Sequence, residues 1–214
     1  MSGGAGVGRG RLITLEGIEG AGKSTVAAHL RAQLERRGVA VRLTREPGGT
    51  PLAERIRALV LERGEEPVSA EAETLLMFAA RRLHVDNLIR PALERGEWVL
   101  CDRYTDATRA YQGGGRGVAA SLIESLASAV HVDVNPDLTL LFDLPVALGL
   151  ERAAARRGAT DRIGEESVAF FERVRARYLE IARAEPDRVR CIDAAQPLEA
   201  VIAAACAAVI ELAP

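Results

Sequence analysis

Lysine is almost missing from this chain: of the 28 basic residues among 214, Lys23 is the single lysine and the other 27 are arginine. Aromatic residues make up only 4%, and there are three cysteines, Cys101, Cys191 and Cys206. Three thiols in a chain of this length cannot build a disulfide framework, so they read as small buried apolar residues in a reducing compartment. No uninterrupted apolar run approaches the roughly 18 residues of a membrane-spanning helix. The expected location is therefore the cytoplasm, with no membrane partner. The 28 basic residues stand against 30 acidic ones, and the formal charge of -2 gives no electrostatic case for binding nucleic acid. The arginine excess largely follows a composition also rich in alanine and glycine, which leaves the question of why Lys23 is lysine.

What is present points to one compact α/β domain. Apolar residues at 48% and charged residues at 27% are ordinary for a globular protein, and the length suits a single core. Residues 1–10 are glycine-rich and read as a flexible leader, with the domain spanning 11–214. Apolar runs of strand length, Leu12 to Glu16, Ala40 to Thr44, Trp98 to Asp102, Leu138 to Asp143 and Val189 to Ile192, alternate with helix-length stretches. That rhythm predicts a five-stranded parallel sheet with helices on both faces. Helices are expected from Lys23 to Arg37, from Pro51 behind a capping Thr50, from about Ala70 to Arg95 with a bend at Pro91, around Val168 to Ala182, and from Leu198 to Leu212.

Directly after the first run comes Gly17-Ile18-Glu19-Gly20-Ala21-Gly22-Lys23-Ser24, followed by Thr25, a complete P-loop pattern between strand and helix. Its glycines let successive N–H groups turn toward phosphate oxygens at a helix N-terminus. Lys23 suits the β/γ-phosphates, and the Ser24 hydroxyl suits Mg²⁺. The pattern thus implies ATP or GTP with Mg²⁺. A GTPase would need a guanine-reading Asn-Lys-x-Asp, and no second lysine exists to supply it. The strand Val99-Leu100-Cys101 runs into Asp102-Arg103, and a basic residue beside the metal-site carboxylate suggests a second anionic group, as in a kinase for a phosphorylated acceptor.

Five separated blocks then resemble the bacterial thymidylate kinases, from Arg11 to about Leu212: Leu15 to Thr25, Thr44-Arg45-Glu46-Pro47-Gly48-Gly49-Thr50, Phe78-Ala79-Ala80-Arg81-Arg82, Asp102-Arg103-Tyr104, and Ala110-Tyr111-Gln112-Gly113-Gly114-Gly115-Arg116-Gly117. The resemblance implies a three-layer P-loop NTPase fold, ATP and dTMP as substrates, and a homodimer packed through helices. It places Glu19 near the acceptor sugar, Arg45 on the acceptor phosphate, and Phe78 and Arg82, four apart on one helix face, against the base. Arg81 reads as a surface or phosphate-rim charge. Asp102 would join Ser24 at the metal, Arg103 would bridge the two phosphates, and Thr108, Tyr111 and Gln112 would contact base or deoxyribose.

The segment at about 152–164 carries Arg152, Arg156, Arg157 and Arg162 around Gly158-Ala159-Thr160 and resembles the family's lid. The P-loop holds no arginine, so the resemblance implies that Arg156 or Arg157 closes over the moving phosphoryl group, while Arg152 is either a solvated charge or a cover for adenine. His29, His84 and His131 lie outside the motifs and read as surface or packing residues. Competing readings are a P-loop kinase for another acceptor and a regulatory nucleotide-binding module.

Overall fold

The computed structural model describes residues 9–62, 66–131, 133–155 and 166–212. Strands β1 (Leu12–Glu16), β2 (Val41–Arg45), β3 (Trp98–Asp102), β4 (Leu138–Asp143) and β5 (Val189–Asp193) form one parallel sheet in the order β2-β3-β1-β4-β5. Around it, among the described residues, lie α1 (Lys23–Arg36), α2 (Pro51–Leu61), α3 (Ala70–His84), α4 (Arg90–Glu94), α5 (Thr105–Thr108), α6 (Ala120–His131), α7 (Val146–Ala154), α8 (Val168–Ala184) and α9 (Leu198–Ile210).

The central strands β1 and β4 and the apolar part of β3 are buried along their length, because both sheet faces are covered. On one face Ile13, Leu15 and Leu100 join Val26, Leu30 and Leu34 of α1 and Val201 and Val209 of α9. Leu12, Val99 and Cys101 point the other way, into a cluster with Val85, Ile89 and Leu93. Edge strands β2 and β5 are partly exposed, which lets arginines sit within them.

The expected helix from 70 to 95 is continuous but not uniform. It widens into a π-turn over Val85–Ile89, where the Arg90 N–H reaches back five residues to the Val85 carbonyl. Pro91 has no N–H and cannot follow an ordinary α-turn, so the irregularity falls just before it. Three other expectations change. Thr50 precedes α2, yet its hydroxyl makes no capping bond and has no partner among the described residues; Glu54 instead accepts from the Gly49 N–H at 2.8 Å. Cys191 is exposed on β5, unlike the buried Cys101 and Cys206. The leader does not extend through residue 10: Gly10 is buried, its N–H bonds the Leu93 carbonyl at 2.8 Å, and Arg9 donates to the Asp133 carbonyl at 3.0 Å.

Candidate active site

The turn from Gly17 to Gly22 leaves β1 at the middle of the sheet and delivers α1. Gly20 lies so close to α7 that a Cβ would come within 1.9 Å of the Gly149 carbonyl oxygen, and its φ is +74°. Only glycine fits there. The Lys23 ammonium folds back into the turn and donates to the carbonyls of Gly17 and Ile18, both at 2.9 Å. Burial, with Arg103 nearby, lowers its pKa to about 8. Ser24 donates to Asp102 Oδ2 at 3.4 Å, while the buried Oδ1 of Asp102 has no hydrogen-bond partner among the described residues. An orphaned carboxylate oxygen beside a hydroxyl is a fitting donor set for Mg²⁺, which favours oxygen ligands and keeps several waters.

A hollow beside the turn is lined by Gly20, Gly22, Thr25, Arg152 and Gln196. Arg152, at the end of α7, donates to the Ala194 carbonyl at 2.7 Å and so closes one side of it. Arg156, Arg157 and Arg162 lie outside the described residues.

On the opposite side of the turn is a cleft with about 720 Å³ of empty space, open mouth included. Glu19 and Arg103 line both this cleft and the phosphate turn. Arg103 Nη2 donates to Glu19 Oε1 at 2.8 Å, its Nη1 donates to the Gly17 carbonyl at 3.0 Å, and its guanidinium lies 4.6 Å from the centre of the Tyr111 ring. Tyr111 donates to Glu19 Oε2 at 2.8 Å. Burial opposes the charge of Arg103, but Tyr111, Glu19, Tyr178 and Asp102 outweigh it and hold its pKa well above the usual value.

Of the residues expected around the acceptor, Thr108, Tyr111 and Gln112 line the cleft. Gln112 donates to the buried Glu73 at 2.8 Å. Phe78 and Arg82 do not line it. Phe78 packs with Val118, Ile123 and Ala127, and Arg82 is half exposed, bonded to Asp86 at 2.6 Å. Their places are taken by Met77 and Arg81, one step back along α3 and therefore about 100° around it. Arg81, expected as a surface or phosphate-rim charge, is 3% exposed; it donates to Glu46 at 2.6 Å and to the Thr108 hydroxyl at 3.0 Å, leaving Nη1 without a partner among the described residues. Arg45 likewise does not line the cleft: it is about half exposed and paired with Glu54 at 2.9 Å. The next residue, Glu46, turns inward, accepting from Arg81 and from His84 at 3.0 Å, and Arg57 of α2 joins the lining. Glu46 lay within a motif, but nothing in a linear pattern marks which of two adjacent charged residues turns in. His84 is fully buried, its other ring nitrogen 2.7 Å from the Thr44 hydroxyl.

A family model described as thymidylate kinase matches residues 15–205. A thymidylate kinase of Pseudomonas syringae pv. syringae is 62% identical over 189 residues, covering 88% of this chain and 90% of the relative. One from Alkalilimnicola ehrlichii is 56% identical over 196 residues, 92% of this chain and 90% of that one. Among solved structures, the crystal structure of thymidylate kinase from Ehrlichia chaffeensis superposes with a TM-score of 0.73 at 33% identity, covering 96% of this chain and 99% of the other.

Proposed function

The chain belongs to the thymidylate kinase family, and from that premise we propose how its residues divide the transfer of the ATP γ-phosphoryl group to dTMP, giving dTDP and ADP for dTTP synthesis. ATP lies with its phosphates in the turn from Gly17 to Thr25, received by backbone N–H groups and by Lys23, and with its base toward Arg152. Ser24 and Asp102 would hold Mg²⁺, which when bound screens the negative charge of the β- and γ-phosphates. dTMP occupies the cleft. The unpartnered Nη1 of Arg81 supports a carbonyl acceptor on the base, so thymine O4 is matched while the amino group of cytosine would oppose donor to donor. Tyr111 walls the sugar side, where it leaves little room for a 2′-hydroxyl.

The observation that carries this reading is the Glu19–Arg103 pair shared by the two binding regions. Arg103 offers its planar fork between donor and acceptor phosphates, and Glu19 keeps that fork aimed. An acceptor phosphate oxygen then attacks the γ-phosphorus in line, helped by positioning and charge neutralisation more than by a strong base. Either Arg156 or Arg157 is assigned the remaining neutralisation of the moving group. A coupled ADP-release assay across dTMP, dUMP, dCMP, dGMP and UMP tests the assignment. Strong stimulation by dTMP is expected, and none would overturn it.

The exposed Leu59 and Leu75 on α2 and α3, at 59% and 52%, support assembly as a homodimer through these helices; light scattering coupled to gel filtration tests it. No helix among the described residues is long and apolar enough to cross a membrane, and a cytoplasmic location is tested by cell fractionation.

A further inference from the structure

Glu16 closes β1 with a fully buried carboxylate, immediately before the phosphate turn. Both its oxygens are occupied. Oε1 accepts from the backbone N–H of Tyr104 at 2.7 Å, and Oε2 accepts from the Tyr178 hydroxyl, also at 2.7 Å. Each donor is one step from Arg103. Tyr104 is its chain neighbour, and the Tyr178 oxygen lies 3.4 Å from Arg103 Nη1.

Arg103 needs such support, because its φ is +70°, the left-handed region that a residue with a Cβ enters only with strain. Its own N–H is fixed by the Leu15 carbonyl at 3.0 Å, and the next N–H, that of Tyr104, is fixed by Glu16. On the side-chain face, a phenolic hydroxyl has one proton. With that proton committed to Glu16, Tyr178 can only present lone pairs to the guanidinium, so the carboxylate determines that Tyr178 accepts from Arg103 and does not oppose it.

We propose that Glu16 is a positioning residue for phosphoryl transfer, holding Arg103 from two directions: its backbone through the Tyr104 N–H and its guanidinium through the Tyr178 hydroxyl. This rests on the reading of Arg103 as the bridge between the two phosphates. An uncharged amide of the same shape cannot do both tasks. If the Gln oxygen keeps the Tyr104 N–H, its NH₂ faces the Tyr178 oxygen and turns the phenolic proton toward Arg103, donor against donor.

The test is a double-mutant cycle with Glu16→Gln, Arg103→Ala and both together, measuring kcat and KM for each substrate beside the thermal midpoint. Glu16→Gln is expected to lower kcat by about 10- to 100-fold, the scale of a small misplacement of a reacting group, while KM for ATP stays within about twofold because the phosphate turn is untouched. In the Arg103→Ala background Glu16→Gln should add almost nothing. Wild-type kcat in a folded Glu16→Gln protein, or effects that add in the double variant, would overturn the proposal. Full activity in Arg103→Ala would instead overturn the reading of Arg103 itself. Should Glu16→Gln fail to fold, Tyr178→Phe removes only the guanidinium arm: a fall in kcat that vanishes in the Arg103→Ala background supports the relay, and unchanged kcat refutes it.

Discussion

Arg103 and Glu19 meet at 2.8 Å on the wall between the phosphate turn and the acceptor cleft, each line of contact held by a further partner: Gly17 for the arginine, Tyr111 for the carboxylate. A guanidinium fixed on two sides keeps its geometry whether or not substrates are present, so little reorganisation is needed as charge shifts between phosphates. Lysine at 103 would supply the charge without the fork. Arg103→Lys is expected to lower kcat by about 100- to 1,000-fold, the range for losing one preorganised donor set, with a far smaller change in thermal midpoint. Steady-state kinetics alongside calorimetry checks this, and equal losses in stability and activity would point to a scaffold role.

Lys23 answers the converse question, why one lysine persists among so many arginines. Its Nζ reaches two carbonyls of the turn at 2.9 Å each, and the residue is 7% exposed, in a space enclosed by that turn. A compact ammonium fits; a broad planar guanidinium would have to displace the turn. Lys23→Arg should therefore behave almost as Lys23→Ala, with kcat/KM for ATP reduced by about 100-fold or more. Activity close to wild type in the arginine variant would show that charge alone suffices.

The phosphate turn was legible in the sequence because its chemistry is local: eight consecutive residues carry it. So was the five-stranded parallel sheet, since buried strands between helices read as alternating apolar runs. The cleft was less legible. Residues 77 and 81 share a face of α3, and so do residues 78 and 82, so helical spacing cannot say which pair turns inward. Phe78 is drawn away by Val118, Ile123 and Ala127, all distant in sequence, and its departure brings Arg81 in. Arg45 and Glu46 follow the same rule at the end of β2, where adjacent residues face opposite ways. Glu16 was illegible for a different reason: it lies in the block from Leu15 to Thr25 but ahead of the phosphate-binding pattern itself, and the partners that give it a task lie 88 and 162 residues away.

Glu46 carries stability as well as orientation. It is buried against Arg81 and His84. Burial opposes its charge, yet these two partners outweigh it and leave its pKa below the usual value. A carboxylate with a lowered folded pKa contributes stability that is fully present above its unfolded pKa and lost as pH falls through the folded one. Glu46→Ala strands the buried guanidinium and should cost about 3–5 kcal/mol in urea unfolding at pH 7. The gap between wild type and variant should shrink as the pH drops below about 4. A pH-independent gap would mean that the carboxylate's packing matters and its charge does not.

Glu16 behaves in the opposite sense. Burial, then the charge of Asp106, raise its pKa to about 7, against lowering contributions from the Tyr178 hydroxyl, Arg103 and the Tyr104 N–H. An acid with a raised folded pKa holds its proton in the folded state after the unfolded chain has released it. Its contribution to stability is thus complete below the unfolded value of about 4.5 and is lost as pH rises through about 7. Activity runs the other way, because only the ionised carboxylate accepts from both Tyr104 and Tyr178; the protonated acid, like glutamine, turns a donor toward Tyr178. Wild type should therefore lose stability relative to Glu16→Gln between pH 5 and pH 8 while its kcat rises over the same interval, and the glutamine variant should lack that rise. Parallel chemical unfolding and single-turnover rates across the interval check both halves. A stability difference that stays flat with pH would show that Glu16 is ionised throughout, and a kcat profile unchanged in the variant would assign the rise to another group.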